Sequence, residues 1–167
     1  MTATLEQRAV EVEQLEDEVL EFVFARDLTP EELRASRLPI NDSYTFFVEF
    51  DYNGRLYRAV HDYFVHSTVT LSSERGICPR RDFFEVAEIV MGEVGGSRWP
   101  VKTEGDKLDT TIRGIKKHSH AEVADILERY QQHFSNVRTQ AHFIRIPRSA
   151  YENSGLPQGK LAWATGY

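Results

Sequence analysis

The strongest constraint on the fold is an alternation of apolar and polar side chains on either side of Asn53-Gly54. Before this dipeptide, an aromatic or β-branched residue recurs at every second position: Tyr44, Phe46, Val48, Phe50 and Tyr52. A period of two is typical of a β-strand with one buried face. Asn-Gly tolerates the positive φ angles of a two-residue type I′ turn. Residues 44–65 are therefore predicted to form a β-hairpin, with Phe46 opposite His61 and Glu49 opposite Arg58.

This register predicts an almost wholly aromatic face with His61 in it, flanked by Tyr57 and Tyr63. A titratable group among aromatic rings can have a shifted pKa and act as an acid or base. In architecture, though in no sequence motif, the arrangement is similar to SnoaL-like proteins, whose curved sheet wraps a pocket. One hypothesis is therefore a pocket enzyme or ligand binder with His61 as its polar anchor and Tyr44, Tyr57 and Tyr63 as its wall. The other is a hydrogen-bonded core histidine.

Helical periodicity and capping signals predict the other elements. An apolar stripe predicts a first helix over residues 4–26: Leu5, Val12, Leu15, Val19 and Phe22. Three capping boxes predict helix starts at Thr29-Pro30-Glu31-Glu32, at Asp82-Phe83-Phe84-Glu85 and at Ser119-His120-Ala121-Glu122. Gly95-Gly96 is a helix stop signal.

Further strands are predicted near 65–71 and 137–146, with a loop over 97–107 and an ambiguous segment at 108–115. The expected fold class is α+β, with N-terminal helices, an antiparallel hairpin-built sheet of about four strands, and two further helices on one face. Residues 1–147 are expected to form a single domain and residues 148–167 an irregular C-terminal arm.

Composition points to a soluble cytoplasmic protein. Cys78 is the sole cysteine, which excludes an intrachain disulfide. No apolar run approaches the roughly 18 residues of a membrane span, and the N-terminus lacks the basic start and apolar core of a signal peptide. We therefore expect no membrane association and no cofactor.

Two short motifs contain histidines. His118-Ser119-His120 resembles the start of the HxHxDH run of metallo-β-lactamase-like hydrolases, but Glu122 and Val123 stand where that family has Asp and His. We interpret the segment as a helix N-terminus and keep a metal site at His118 and His120 as an alternative. His66-Ser67-Thr68-Val69 resembles half of the HxT motif of 2H phosphoesterases, which need two copies. The sequence contains no complete catalytic motif.

A protein-binding module is the leading functional interpretation, of the inhibitor, immunity or adaptor type. Residues 1–52 contain 13 acidic and 4 basic residues, which can steer a charged partner. The predicted partner-binding residues are acidic side chains of the first helix and aromatic side chains of the arm: Glu13, Asp17, Glu21, Tyr151, Trp163 and Tyr167. Another protein is the expected partner, and a second copy of the chain is an alternative.

Nucleic-acid binding is a second alternative, because the C-terminal third is basic and contains aromatic residues. Arg138, Arg145 and Arg148 are its predicted contacts. The whole chain carries a net charge of −6, which opposes this interpretation.

Overall fold

The computed structural model describes residues 17–38, 44–64, 66–98 and 100–164. These residues form a nine-stranded antiparallel sheet and four α-helices. The strands are β1 (Val19–Ala25), β2 (Tyr44–Tyr52), β3 (Arg55–Tyr63), β4 (Ser67–Glu74), β5 (Ser97–Arg98), β6 (Lys102–Glu104), β7 (Lys107–Arg113), β8 (Ser135–Pro147) and β9 (Leu161–Ala164). The helices are α1 (Pro30–Ala35), α2 (Arg80–Val94), α3 (His120–His133) and α4 (Arg148–Glu152), and a 3₁₀ turn covers Gln158–Lys160. None of these helices is long and apolar enough to cross a membrane.

The strand order is β5-β7-β4-β3-β2-β8-β1-β9, and β6 also pairs with β7. The predicted fold class was wrong, because the sheet has nine strands where about four were expected. The excess strands include β5 and β6, which occupy the predicted loop over 97–107, and β9 in the predicted irregular arm. β7 resolves the ambiguous segment as a strand.

The predicted N-terminal helix was also wrong where the structure describes it. Residues 19–25 form β1, between β8 and β9, and residues 1–16 lie outside the described part of the chain. Phe22 and Phe24 point to one side of the sheet, while Val23 and Ala25 are fully buried on the other. Because apolar side chains lie on both faces of β1, their spacing also fits a helix, whereas valine and phenylalanine favour a strand.

The hairpin prediction is confirmed residue by residue. Phe46 pairs with His61 and Glu49 with Arg58, and the two charged side chains lie 3.1 Å apart. Asn53 and Gly54 have φ angles of 51° and 75°, as a type I′ turn requires.

Two of the three predicted capping boxes are present. Thr29 and Ser119 each accept a hydrogen bond from the backbone N–H of the glutamate three residues later. α2 differs: it begins at Arg80, directly after Pro79, and has no side-chain cap. The fixed φ of proline suits a helix start, so Asp82 lies inside the first turn, where its charge still favours the helix dipole.

The sheet has two unlike faces. α2 and α3 pack on the covered face, whose residues are buried: Tyr44, Phe46, Val48 and Phe50 of β2, Tyr57, Ala59, His61 and Tyr63 of β3, Val69 and Leu71 of β4, and Ala141 and Phe143 of β8. Residues at intervening positions form the open face and keep access to solvent: Thr45, Phe47 and Glu49 of β2, Arg58, Val60 and Asp62 of β3, Thr68, Thr70 and Ser72 of β4, and Arg138, Gln140 and His142 of β8.

The C-terminal segment is joined to the sheet. Leu156 and Leu161 are buried, and the N–H of Arg26 donates to the carbonyl of Lys160 at 2.9 Å. This bond continues the pairing of β1 with β9. The segment therefore contributes both core residues and one border strand.

Candidate functional site

His61 is fully buried beneath α3. Its Nε2 lies 3.2 Å from the hydroxyl of Tyr130 and its Nδ1 lies 3.4 Å from that of Tyr63. Burial, helped by the nearby His118, lowers the pKa of His61 to about 3, so its imidazole is neutral. It borders packed side chains and lines neither of the surface pockets described below. The geometry favours the core-histidine interpretation over the pocket anchor.

His118 belongs to the same cluster. The hydroxyl of Tyr63 lies 2.8 Å from its Nδ1, and the hydroxyl of Tyr44 donates to its backbone carbonyl. Burial lowers the pKa of His118, opposed by the carboxylate of Glu122. Burial also raises the pKa of Tyr44 to about 12. These groups act as neutral hydrogen-bonding partners.

His120 differs from both because neither of its ring nitrogens has a hydrogen-bond partner. The side chain is 3% exposed, and the rings of Tyr44, Phe46 and Phe143 lie 5.3, 5.9 and 5.4 Å from it. Burial lowers its pKa to about 4. Within the described ranges no three His, Cys, Asp or Glu side chains converge as metal ligands would.

Tyr57 lies on the same face but outside this cluster. Its hydroxyl is 3.3 Å from the Sγ of Cys78, and both side chains are buried. Burial raises the pKa of Tyr57 well above its usual value. Of the four residues of the pocket hypothesis, His61, Tyr44 and Tyr63 therefore belong to the histidine cluster, and Tyr57 contacts Cys78. All four are buried in the core.

The predicted acidic contacts lie beside β1 where they are described. Asp17 accepts hydrogen bonds from the N–H and the hydroxyl of Ser149, at 2.9 and 3.0 Å. Glu21 is exposed on β1. Glu13 lies outside the described residues. Asp17 thus ties the start of β1 to α4.

The aromatic contacts of the predicted arm are better placed for a partner. Trp163 lies on β9 with 43% of its surface exposed and the guanidinium of Arg148 5.9 Å from its ring. Tyr151 is half-buried on α4, and Tyr167 lies outside the described residues. Of the two predicted partner residues that the structure describes in this segment, Trp163 is the more exposed.

β9 is an edge strand, because among the described residues it pairs with β1 alone. The carbonyl of Lys160 points to β1, where it accepts from Arg26. Backbone groups alternate in direction along an antiparallel strand. The C=O of Leu161 and the N–H and C=O of Trp163 therefore point away from β1, toward the outer edge, whereas the N–H of Leu161 donates to the carbonyl of Gln158.

The predicted nucleic-acid contacts do not share one surface. Arg138 is on the open face 3.8 Å from Glu49, and the Nε of Arg148 donates to Glu18 at 2.6 Å. Arg145 is exposed, with a φ of 58° that marks an irregularity in β8. Seven residues of strand separate Arg138 from Arg145, about 23 Å.

The open face holds two pockets that sequence reasoning missed. The central pocket, of about 240 Å³, is lined by Asp27, Phe47, Glu49, Arg58, Arg138, Gln140 and His142. The strand-end pocket, of about 660 Å³, is lined by Asp62, Phe64, His66, Ser67, Thr68, Arg113, Gly114 and Ile115. The His66-Ser67-Thr68 motif was the one available signal for the second pocket.

Comparison with protein-family models, with curated proteins and with solved structures finds no match for this chain. Function is therefore inferred from the side chains and the backbone. Three features stand out: the buried histidine cluster, the β9 edge and the open face.

Proposed function

We propose that the chain is a non-enzymatic protein-binding module that adds an extended segment of a partner protein to the outer edge of β9. The observation that carries this proposal is the exposed edge itself, where the N–H and C=O of Trp163 and the C=O of Leu161 turn away from β1. Such groups pair with an incoming strand, and the side chains of that strand give specificity.

The sequence of β9 lacks the usual protection of an edge. Exposed edge strands commonly carry lysine, proline or a bulge, which prevent pairing with other chains. β9 reads Leu-Ala-Trp-Ala, with no charge and no proline, and its pairing with β1 is continuous. An unprotected edge of four residues is short enough to limit aggregation and long enough for a specific contact.

Trp163 supplies the side-chain anchor. Tryptophan is enriched among the residues that dominate binding energy at interfaces. The ring is held by Arg148, which is itself paired with Glu18, so little ordering is needed on binding. The partner chemistry that fits is an extended apolar segment.

The test is selection of peptides from a displayed random library on the full chain. We expect enriched peptides to be extended and apolar, and to perturb the amide signals of β9 and β1 in NMR spectra. Trp163→Ala removes the anchor, and Trp163→Pro removes in addition the outward N–H without deleting a bond to β1. Affinity is expected to fall about tenfold or more for the first and further for the second.

Ile77→Ala is the matched control, since Ile77 is 67% exposed in the loop before α2. It is expected to leave binding unchanged. Enriched peptides that bind Trp163→Pro as tightly as the natural chain would contradict the proposal. A dimer that forms with rising concentration and is lost in Trp163→Pro would identify a second copy as the partner.

A further inference from the structure

The strand-end pocket lies where β3 ends, β4 begins and β7 ends. Asp62 pairs with Thr68, and Ile112 pairs with Val69, so the next position of β7, Arg113, lies opposite Thr68. Asp62, Thr68 and Arg113 thus form one row across three adjacent strands of the open face. A carboxylate and a guanidinium stand at its two ends with a hydroxyl between them.

The backbone beside this row is closely packed. A Cβ at Gly96 would lie 2.5 Å from the carbonyl oxygen of Arg113, so only glycine permits the close contact between the segment after α2 and the end of β7. Ile115, which lines the pocket, is 8% exposed. Binding groups on a fixed scaffold lose little freedom when a ligand binds.

The carboxylate of Asp62 leaves binding capacity unused. One carboxylate oxygen of Asp62 accepts from the N–H of Phe64 at 3.1 Å, and within the described chain this carboxylate joins no ion pair. Among the residues that the structure describes, the hydroxyls of Ser67 and Thr68 and the ring of His66 have no hydrogen-bond partner. Convergent polar groups that do not satisfy one another, in a concavity with an apolar wall, are typical of a ligand site.

The central pocket shows the contrast. There Glu49 lies 3.1 Å from Arg58 and 3.8 Å from Arg138, so its charges are already paired. A ligand would first have to break these contacts. The strand-end pocket imposes no such competition at Asp62.

We propose that the strand-end pocket binds a free α-amino acid with an apolar side chain. The ligand's ammonium group pairs with Asp62, and its carboxylate is held by Arg113 with the hydroxyl of Thr68. Its side chain lies against Phe64, which is 48% exposed at the rim. Opposite charges at the two ends of the row select a zwitterion over a simple anion or a simple amine.

A metal ion fits the pocket less well. Asp62 and His66 are the two metal-ligating side chains among its lining residues. Structural zinc sites use four protein ligands and catalytic sites three.

The test is calorimetric titration of the full chain with L-phenylalanine and L-leucine, beside 3-phenylpropionate, which lacks the ammonium, and 2-phenylethylamine, which lacks the carboxylate. We expect at least one amino acid to bind, and each one-charge analogue of L-phenylalanine to bind about tenfold more weakly or worse, because a charged hydrogen bond is lost. Amide signals of residues 62–68 and 111–114 should shift in NMR spectra.

Asp62→Asn keeps the acceptor for Phe64 and is expected to abolish the preference for L-phenylalanine over 3-phenylpropionate. Arg113→Gln is expected to abolish the preference over 2-phenylethylamine. Asp109→Asn, four residues before Arg113 on the same face of β7, is the control and should change neither. If neither amino acid binds at 10 mM, about the weakest useful affinity for so few atoms, the proposal is overturned. Equal binding of all four probes overturns it as well.

Discussion

The two faces of the sheet receive alternate residues of the same strands, and they differ in almost every physical respect. Phe46 is fully buried on the covered face, while its neighbour Phe47 is half-exposed on the open face. His61 is buried and neutral, whereas Asp62 borders a pocket. The covered face therefore determines the stability of the fold, whereas side chains of the open face can serve binding without loss of the core.

Alanine substitutions at Phe46 and Phe47 provide the largest test of this difference. Phe46→Ala leaves a cavity among Tyr44, Tyr63 and Phe143 and is expected to cost about 3–5 kcal/mol. Phe47→Ala removes a half-exposed ring and is expected to cost about 1 kcal/mol. Urea denaturation of both variants measures the two costs, and equal values would mean that the faces are energetically alike.

Acidification tests the covered face through its histidines. The folded pKa values of His61 and His120, about 3 and about 4, lie below the ordinary value of 6.5. Between pH 6.5 and pH 4 the two histidines bind protons in the unfolded chain but stay neutral in the folded chain. The free energy of unfolding is therefore at its full value above pH 6.5 and decreases as the pH falls toward 4. The expected loss at pH 5.5 relative to pH 7.5 is about 2–3 kcal/mol, measured by denaturation at each pH.

His120→Phe separates this effect from general acid sensitivity. The ring environment of His120 is apolar, so phenylalanine is expected to weaken the pH dependence by about half. His133→Gln, at the exposed end of α3, is the control. A stability that stays level from pH 7.5 to 5.5 in the natural chain would show that the buried histidines do not resist protonation.

Tyr63→Phe is expected to have an intermediate effect. Its hydroxyl lies within hydrogen-bond distance of both His118 and His61, and removing it leaves a buried imidazole nitrogen without a partner. The expected cost is about 1–3 kcal/mol in the free energy of unfolding. Tyr151→Phe, at a half-buried site on α4, serves as comparison, and equal effects of the two variants would argue against the cluster.

The smallest expected effect belongs to the open face. The ion pair of Glu49 and Arg58 is partly exposed, so a double-mutant cycle with alanine should give a coupling of about 0.5 kcal/mol that decreases with salt. A coupling above about 2 kcal/mol, unchanged by salt, would mean that this face is desolvated in the folded protein.

Local chemistry explains which elements could be predicted. The register of β2 and β3 follows from two turn residues, so the burial of His61 on an aromatic face could be inferred from sequence. The caps at Thr29 and Ser119 need only the three residues that follow them. In each case the determining residues are close in the chain.

The remainder depends on contacts between distant segments. β1 places apolar side chains on both faces of the sheet and pairs with β8 and β9, which are distant in the sequence, so its local pattern also fits a helix. The row of Asp62, Thr68 and Arg113 exists because β7 returns to lie beside β4. The strand-end pocket could therefore not be found before the strand order was known.

The position of β1 has a consequence during synthesis. β1 is made early, yet both of its partners, β8 and β9, lie more than 100 residues further along the chain. At roughly 5–20 residues per second, its apolar side chains await pairing for on the order of ten seconds. The pairings of β2 with β8, of β8 with β1 and of β1 with β9 can form only after residues 135–164 have left the ribosome. Nascent chains of this protein thus present an unpaired, mostly apolar strand to the cell's chaperones until β8 and β9 have been made.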